Sequence, residues 1–527
     1  MGREPAIEAA GGRRYGANVK ARVKPFVPSA GRSSFDSASR RSGRTEWMNR
    51  RSRSKNVALL LFTVIVLAGC TVGPDFFRPQ APVPTQYKEL AGWKEAQPRD
   101  AELKGDWWLV YGDPLLSGLV SQVSVSNQTL AQSEAQFRQA RALVAQARAA
   151  YFPTLSGSAS VTRSQVGRAG SGTVNRGGVT VYDIGLDASW EPDLWGRVGR
   201  AVEASAASAN ASAADVENVR LSLQAELAQN YFQLRALEAQ QQLFTDTQRA
   251  FQESLRLTEN RYNAGVAARA DVVQAQTQLR TTEAQSIDLG VQRAQLEHAI
   301  AVLIGKPPAE FSLERAALPA TPPGVPVGVP SALLERRPDI AAAERRVQSA
   351  NAQIGVAQAA YYPAITLSAS GGFQSTVLSS LFTTPARFWS LGSALAQTIF
   401  DAGLRRARTE QAVALYDQTV GNYRQTVLTA FQEVEDNLAA LRILEQESVV
   451  QTDAVALARR SLELTLNQYK SGIVSYLNVL TAQTTLLAAE RTVVDLQNRR
   501  LSASVALIRA LGGGWSASSL PPMADTH

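Results

Sequence analysis

The sequence has few of the residues on which most catalytic and metal sites depend. Its 527 residues include one cysteine, Cys70, and two histidines, His298 and His527. A single cysteine excludes a disulfide within the chain, and so few Cys and His residues leave almost no material for a zinc cluster or a Ser-His-Asp triad. No nucleotide-binding loop is visible either. We therefore expect neither enzyme activity nor a metal site, and we expect His298, in a helical run, to be a solvated surface residue.

Most of the chain also lacks an excess of either positive or negative charge. The net charge is +8, but residues 1–69 contain 14 of the 54 Lys and Arg residues and only 4 of the 46 Asp and Glu residues. Residues 70–527 therefore carry 40 basic and 42 acidic side chains, a net charge of −2. Binding to nucleic acid needs a basic face on the folded part of a protein. We expect no nucleic-acid partner.

The N-terminal region has an apolar run that is too short to cross a membrane. The run from Val57 to Leu67 contains 11 residues, whereas a membrane-spanning helix needs about 20. A basic stretch at 50–55 precedes it, which is typical of a secretory signal peptide and places that peptide at 48–69. Residues 1–47 are rich in Arg, Ser and Gly without an apolar period, so they are predicted to be disordered or a non-native extension.

The rest of the chain repeats one plan. Tyr262-x-x-Gly265 and Tyr469-x-x-Gly472 are separated by an offset of 207 residues, and each lies between a long helical pattern and a shorter one. Glycine accepts the left-handed backbone that ends helices. Each copy is therefore interpreted as a tight turn at the end of a helical hairpin, and two copies at one offset indicate duplication.

Each repeat is predicted to contain a helix, two strands, a long helix, the turn and a shorter helix. Apolar and polar residues alternate at 155–161 and 182–190 in the first repeat, and at 365–373 and about 388–399 in the second. Aromatic residues on these strands are candidate membrane-interface anchors: Tyr182, Trp190, Phe373 and Trp389. The predicted domains are a tether and equatorial segment at 70–114, repeats at 115–305 and 336–512, a Pro-rich linker at 306–335, and a tail at 513–527.

Four amphipathic strands are too few to close a membrane barrel. The smallest such barrels have about eight strands, and an open edge is not tolerated in lipid. The chain must therefore oligomerise, with two copies giving about 8 strands and three giving about 12. The helical run at 200–260 contains no Pro or Gly, and at about 1.5 Å per residue it spans about 92 Å. Helices this long and polar are expected to project into water.

Three sequence features are informative together: Leu67-Ala68-Gly69-Cys70 at the end of the signal peptide, the paired turns in a 207-residue duplication, and Arg336-Arg337-Pro338-Asp339-Ile340. With these features, the first of which is similar to a lipobox, the chain resembles the outer-membrane efflux proteins of the TolC-like family, and in particular its lipoprotein branch. The resemblance implies a mainly α fold with a small β part, in which two tandem repeats form a long antiparallel α-helical barrel. It also implies a homotrimer in which each chain gives four strands to a 12-stranded transmembrane β-barrel.

The same resemblance implies the surroundings and partners of the chain. Cys70 would carry a covalent lipid such as palmitate, with no other cofactor, and would anchor the protein in the bacterial outer membrane with its helices in the periplasm. The partners would be a periplasmic adaptor protein and an inner-membrane pump of the resistance-nodulation-division type, as in tripartite multidrug efflux.

In such proteins the paired turns form the periplasmic tip that closes the channel. The resemblance assigns eight residues to this tip: Tyr262, Gly265, Asp271, Tyr469, Gly472, Leu477, Asn478 and Thr481. Tyr469 matches a tyrosine that hydrogen-bonds to a neighbouring helix, with Asp271 as the expected acceptor, and Leu477 matches an apolar constriction. Relatives often place Asp where this chain has Asn478 and Thr481, so we expect no acidic ring at this mouth.

The sequence therefore predicts a passive exit duct for small toxic compounds or drugs. Two alternatives remain at this stage. One is an outer-membrane duct for polypeptide secretion, against which the lipid anchor favours the efflux branch. The other is a structural trimeric lipoprotein with a coiled-coil stalk, against which the division of the strands between two repeats counts.

Overall fold

The computed structural model describes residues 71–90, 106–165, 178–319, 321–325 and 333–514. The predicted signal peptide, Cys70, the extension at 1–47 and most of the C-terminal tail lie outside these residues.

The two repeats are built from equivalent elements, and apart from α1 and α5 the paired elements have equal or nearly equal length. Within the described residues the α-helices are α1 (Pro114–Ser126), α2 (Gln128–Ala149), α3 (Arg197–Asn263), α4 (Arg269–Leu303), α5 (Leu333–Arg336), α6 (Pro338–Ala359), α7 (Leu404–Lys470) and α8 (Tyr476–Ala510). The strands are β1 (Thr154–Ser164), β2 (Val179–Trp190), β3 (Ala364–Ser375) and β4 (Arg387–Ala396). Short 3₁₀ helices lie at Lys88–Leu90, Trp107–Tyr111, Pro308–Glu310, Leu378–Ser380 and Thr384–Ala386.

The helical pattern of the sequence at about 115–151 predicts one continuous helix, and this prediction is wrong because the segment forms two helices. The segment begins after Asp113, whose Oδ1 accepts from the backbone N–H groups of Leu115 and Leu116 at 2.9 and 3.1 Å. It is interrupted at Asn127, whose side-chain oxygen accepts from Leu130 N at 3.0 Å and so caps α2. The Asn127 amide also donates to Leu303 O at 2.8 Å. At this break Asn127 thus connects the start of α2 to the end of α4, a tertiary contact that the helical pattern does not reveal.

The long helices pack as hairpins along an apolar seam. Helix α3 contains 67 residues, about 100 Å at about 1.5 Å per residue. It packs on α4, α7 packs on α8, and α3 also packs on α8. Along this seam of α3 the following aromatic and leucine side chains are buried: Leu227, Tyr231, Leu234, Leu237 and Phe244. Spacings of three and four residues place these side chains on one face of the helix.

The four strands form one antiparallel sheet in the order β1-β2-β3-β4. The register pairs Leu186 with Gly157 on one side and with Gly371 on the other, and Gly371 pairs with Trp389. Because directly paired residues point to the same side of a sheet, the predicted apolar alternations of all four strands share one face. Serines, Asp183, Asp187 and Gln374 share the other. The fourth strand ends at Ala396, three residues earlier than predicted.

The N-terminal segment is held where the strands meet the helices. Val72 N donates to Trp195 O at 3.2 Å, and Asn351 donates to Pro74 O at 2.9 Å. The buried Arg200 donates to Val72 O at 3.2 Å and pairs with Asp75 at 3.1 Å. Residues 72–75 therefore have a fixed position between the start of α3 and the second half of α6.

The motif Arg336-Arg337-Pro338-Asp339-Ile340 is a structural joint. The Arg337 guanidinium is buried and lies 2.7 Å from both the Asp339 and the Glu433 carboxylates. It also donates to Ala510 O at 3.0 Å, at the end of α8. One side chain thus connects the start of α6, the middle of α7 and the end of α8.

Replacing Arg337 by alanine should lower the free energy of unfolding by about 2 kcal/mol, because two partly buried carboxylates and the Ala510 carbonyl lose their charged hydrogen-bond donor. Denaturant unfolding of the detergent-solubilised protein, followed by tryptophan fluorescence, would measure the loss. The exposed neighbour Arg336 provides the control, and Arg336→Ala should change stability little. Equal effects of the two variants would contradict the assignment of the joint to Arg337.

Candidate functional site

The two hairpin turns have the same backbone geometry. Gly265 and Gly472 have φ angles of +77° and +79°, the left-handed region predicted for both. In the first turn Gly265 N donates to Tyr262 O at 2.9 Å and Val266 N donates to Arg261 O at 2.9 Å. The second turn repeats these bonds 207 residues later, at 3.0 and 2.9 Å. Each glycine thus ends its long helix and allows the chain to reverse.

The turns differ in how their tyrosines are packed. Tyr469 is 3% exposed, whereas Tyr262 is 39% exposed. The Arg261 guanidinium lies 4.7 Å from the centroid of the Tyr469 ring and donates to Lys470 O at 3.0 Å. Such a cation–π contact, together with a hydrogen bond to the facing turn, holds the two hairpins together at their ends.

The Tyr469 hydroxyl donates to Thr258 Oγ1 at 3.2 Å. This bond joins Tyr469 to a neighbouring helix, and within this chain the acceptor is Thr258 on α3 rather than the expected Asp271. The reason is that Arg261 holds the Tyr469 ring against α3. Asp271, in the first turn of α4, acts electrostatically on Tyr476 instead. Burial, aided by Tyr469 and Asp271, raises the pKa of Tyr476 to about 12.

A second polar contact lies further along the same hairpin–hairpin joint. The Gln483 amide, on α8, donates to Ser254 Oγ on α3 at 2.8 Å, and both residues are buried. Thr258, Ser254, Gln483 and Arg261 were missed as site residues in the sequence. A signal existed for three of them, because the 207-residue offset places Ser461 on Ser254, Thr465 on Thr258 and Gln483 on Gln276.

The other predicted tip residues lie in the first turns of α8. Leu477 is 55% exposed, and Asn478 and Thr481 are exposed as well. The Ser475 hydroxyl donates to Asn478 Oδ1 at 3.3 Å, and the Thr481 hydroxyl donates to Leu477 O at 2.9 Å. All three line an open groove between α7 and α8. Their roles in constriction and ion selectivity stay predictions.

The predicted interface aromatics lie toward both ends of the sheet. Tyr182 pairs with Ser375, Phe373 pairs with Arg387, and Trp389 lies two residues further along its strand. These three are at the end of the sheet away from the helices. Trp190 lies at the helical end and donates to Tyr151 O at 2.9 Å. Trp389 is 73% exposed and lies on the apolar face, as a lipid-contacting side chain would.

The described residues contain neither a candidate metal site nor a candidate membrane-spanning helix. Across these ranges no group of three or more His, Cys, Asp or Glu side chains is arranged to hold a metal ion. In the same part of the chain, none of the helices combines the length and the apolar character needed to cross a membrane.

Comparison with known sequences identifies relatives along nearly the whole chain. The family described as Outer membrane efflux protein matches residues 119–306 and 329–513. The toluene efflux pump outer membrane protein TtgF of Pseudomonas putida is 32% identical over 475 residues, covering 87% of this chain and 97% of the relative. The pyoverdine export outer membrane protein OpmQ of Pseudomonas aeruginosa is 33% identical over 468 residues, covering 88% and 97%.

Solved structures agree with these matches. The outer-membrane channel OprN is 33% identical with a TM-score of 0.79, covering 85% of this chain and 100% of that one. The open state of the MtrE outer membrane channel of Neisseria gonorrhoeae is 27% identical with a TM-score of 0.73, covering 85% and 99%.

These matches confirm the family resemblance, the outer-membrane location and the efflux role that the sequence predicted. They also confirm the mainly α fold with a small sheet. The family is one of outer-membrane channels rather than a known enzyme family. The chain belongs to the outer membrane efflux protein family.

Proposed function

We propose that the chain is one subunit of a homotrimeric exit duct that passively conducts small toxic compounds from a periplasmic pump and adaptor assembly to the exterior. The sheet carries this proposal. Its apolar residues share one face, as in a lipid-facing barrel wall, and β1 and β4 are its two edges. An edge cannot face lipid, because its backbone groups would lack hydrogen-bond partners. Pairing β4 of one copy with β1 of the next removes every edge, and three copies supply about 12 strands.

The helical hairpins extend this duct. Helices of about 100 Å are about three times longer than the apolar core of a bilayer is thick, about 30 Å. Relatives are named as outer-membrane proteins of toluene and antibiotic efflux pumps. We therefore propose a periplasmic adaptor and an inner-membrane pump as partners, with a substrate class of small apolar or amphipathic toxic compounds.

The tip formed by the two turns is proposed as the gate. Arg261, Tyr469 and Thr258 join the hairpins at their far ends, and Ser254 and Gln483 join them further along. Opening requires these contacts to separate. Each of them is a cation–π contact or a hydrogen bond, so breaking each one costs about 1 kcal/mol. An adaptor that binds the open tip more tightly than the closed tip can therefore shift the equilibrium toward the open state.

The efflux role is tested by deleting the gene. Susceptibility to at least some solvents, dyes or antibiotics should rise several-fold in growth-inhibition assays and return to the wild-type level when the gene is restored. The pump and adaptor genes stay intact as the control. Unchanged susceptibility to every compound, in cells where the pump is shown to be active, would overturn the proposal.

Lipid anchoring at Cys70 is proposed from the sequence, and the held position of residues 72–75 supports it. Since Val72 is bonded to the turn that follows β2, an acyl group attached two residues earlier would lie near the membrane-facing end of the helices. Cys70→Ala should abolish incorporation of radioactive palmitate into the protein. Cys70 is the only cysteine, so label retained by the variant would refute this lipid site.

A further inference from the structure

The second hairpin has an open groove on the side that faces away from the first hairpin. The groove lies between α7 and α8, close to the tip, and its volume is about 440 Å³. Small and polar side chains line it, including Ala458, Ser461, Thr465 and Ala482. Small residues on two helices permit close approach by a further helix, but they do not by themselves say which helix approaches.

The internal repeat identifies the occupant. At the 207-residue offset, Ser461 and Thr465 correspond to Ser254 and Thr258, and Ala482 corresponds to Ala275. In the first hairpin these positions are covered: Ser254 is 7%, Thr258 0% and Ala275 1% exposed. They are covered by the second hairpin, through the bonds from Tyr469 to Thr258 and from Gln483 to Ser254.

The side chains that donate these two bonds are repeated as well. Tyr469 corresponds to Tyr262 and Gln483 to Gln276. Both Tyr262 and Gln276 are exposed, on the first hairpin. Each chain therefore contains one complete joint, plus the donor half of a second joint on one hairpin and the acceptor half on the other.

The acceptor half is already arranged for such a bond. The Thr258 hydroxyl donates to Ser254 O at 2.8 Å, which leaves its oxygen free to accept from Tyr469. The Thr465 hydroxyl likewise donates to Ser461 O at 2.8 Å. Its oxygen is thus oriented to accept a hydrogen bond in the same way.

We propose that these halves join adjacent subunits at the tip: Tyr262 donates to Thr465, and Gln276 donates to Ser461, of the neighbouring copy of this chain. The proposal rests on the trimer of the proposed function. The helix order around the ring is then α4, α3, α8, α7 and next the α4 of the adjacent subunit. In this order a long helix of one repeat contacts a short helix of the other repeat at two places. One is the α3–α8 contact within the chain, and the other is the contact of α7 with the α4 of the adjacent subunit.

The joint between subunits has fewer stabilising contacts than the joint within a chain. Phe251, buried in the first hairpin, corresponds to Ala458, which accounts for the open space of the groove. Arg261, which lies over the Tyr469 ring, corresponds to Gln468. The two hydrogen bonds therefore contribute a larger fraction of the stabilising free energy between neighbouring subunits at the tip than the equivalent bonds contribute within a chain.

Cysteine pairs test the contact directly. A chain carrying Gln276→Cys and Ser461→Cys, treated with a short bifunctional thiol reagent, should give covalent dimers and trimers on a denaturing gel. The matched pair Gln483→Cys and Ser254→Cys should be cross-linked within one chain and stay a monomer on the gel. Each variant with only one of these introduced cysteines should give no covalent oligomer, and Cys70→Ala in every variant removes the one native thiol.

The native mass of the same samples shows whether the protein is a trimer, and so distinguishes a failure of the proposed contact from a failure of the trimer. A trimeric protein whose Gln276/Ser461 pair gives no covalent oligomer, while the matched pair cross-links, would overturn the contact and leave the duct intact. A protein that is not trimeric would overturn both. As a second measurement, Thr465→Val should raise the conductance of the channel in planar bilayers, as Thr258→Val should; an increase for Thr258→Val alone would also overturn the contact.

Discussion

Replacing Gly372 by alanine should strongly deplete the assembled protein from the outer membrane. Gly372 pairs with Gly185 and with Phe388 in the centre of the sheet. A β-carbon at Gly372 would lie 2.2 Å from Ile184 O and 2.7 Å from Gly185 Cα. Both are backbone atoms, so the strands themselves must separate. Overpacking costs about 1–3 kcal/mol, and we expect at least the upper end of that range in every subunit.

The adjacent glycine supplies the control. A β-carbon at Gly371 would meet only Phe388 O at 3.6 Å and Trp389 Cβ at 3.8 Å, which are ordinary contacts. Gly371→Ala should therefore assemble almost normally. The amounts of folded protein in outer-membrane fractions, compared on gels with and without heating, measure both variants. Equal amounts of the two would show that the β2–β3 pairing described here is incorrect.

Replacing Arg261 by alanine should raise single-channel conductance several-fold in planar lipid bilayers. The substitution removes the cation–π contact with Tyr469 and the hydrogen bond to Lys470 O. Together these contribute about 1–3 kcal/mol, and three subunits lose them at once. If the closed state is lower in free energy than the open state by only a few kcal/mol, the open state would then become the more populated one.

Gln468 is the matched control for Arg261, because it occupies the equivalent position in the second repeat. It is exposed, so Gln468→Ala should leave conductance near the wild-type level. If Arg261→Ala and Gln468→Ala conduct alike, the closed tip does not depend on the Arg261–Tyr469 contact.

Local pattern was sufficient to predict most of the fold. The alternation of apolar residues located all four strands, and the two glycines located both helical turns, because each is a property of neighbouring residues. Asn127 shows where this fails. Its side chain interrupts a continuous helical pattern by bonding to α4, and only the folded chain brings that partner near.

At the tip, too, the local features could be predicted from the sequence and the tertiary contacts could not. Gly265, Gly472 and Tyr469 were found because they occur in a repeated motif. Thr258 and Gln483 lie outside that motif. Their hydrogen-bond partners, Tyr469 and Ser254, are 211 and 229 residues away along the chain and come near because α3 packs against α8. A residue-by-residue comparison of the two repeats would have marked both, since each has an identical counterpart. Arg261 would still have been missed, because its counterpart is Gln468.

The proposed duct requires the hairpins of the tip to separate before toxic compounds can leave the cell. The most direct test is efflux from cells that produce the Ser254→Cys/Gln483→Cys protein, measured with a compound that the deletion strain accumulates. After thiol cross-linking with a reducible reagent, efflux should fall to the level of the deletion strain, and a reductant should restore it. Wild-type efflux through fully cross-linked protein would contradict the account.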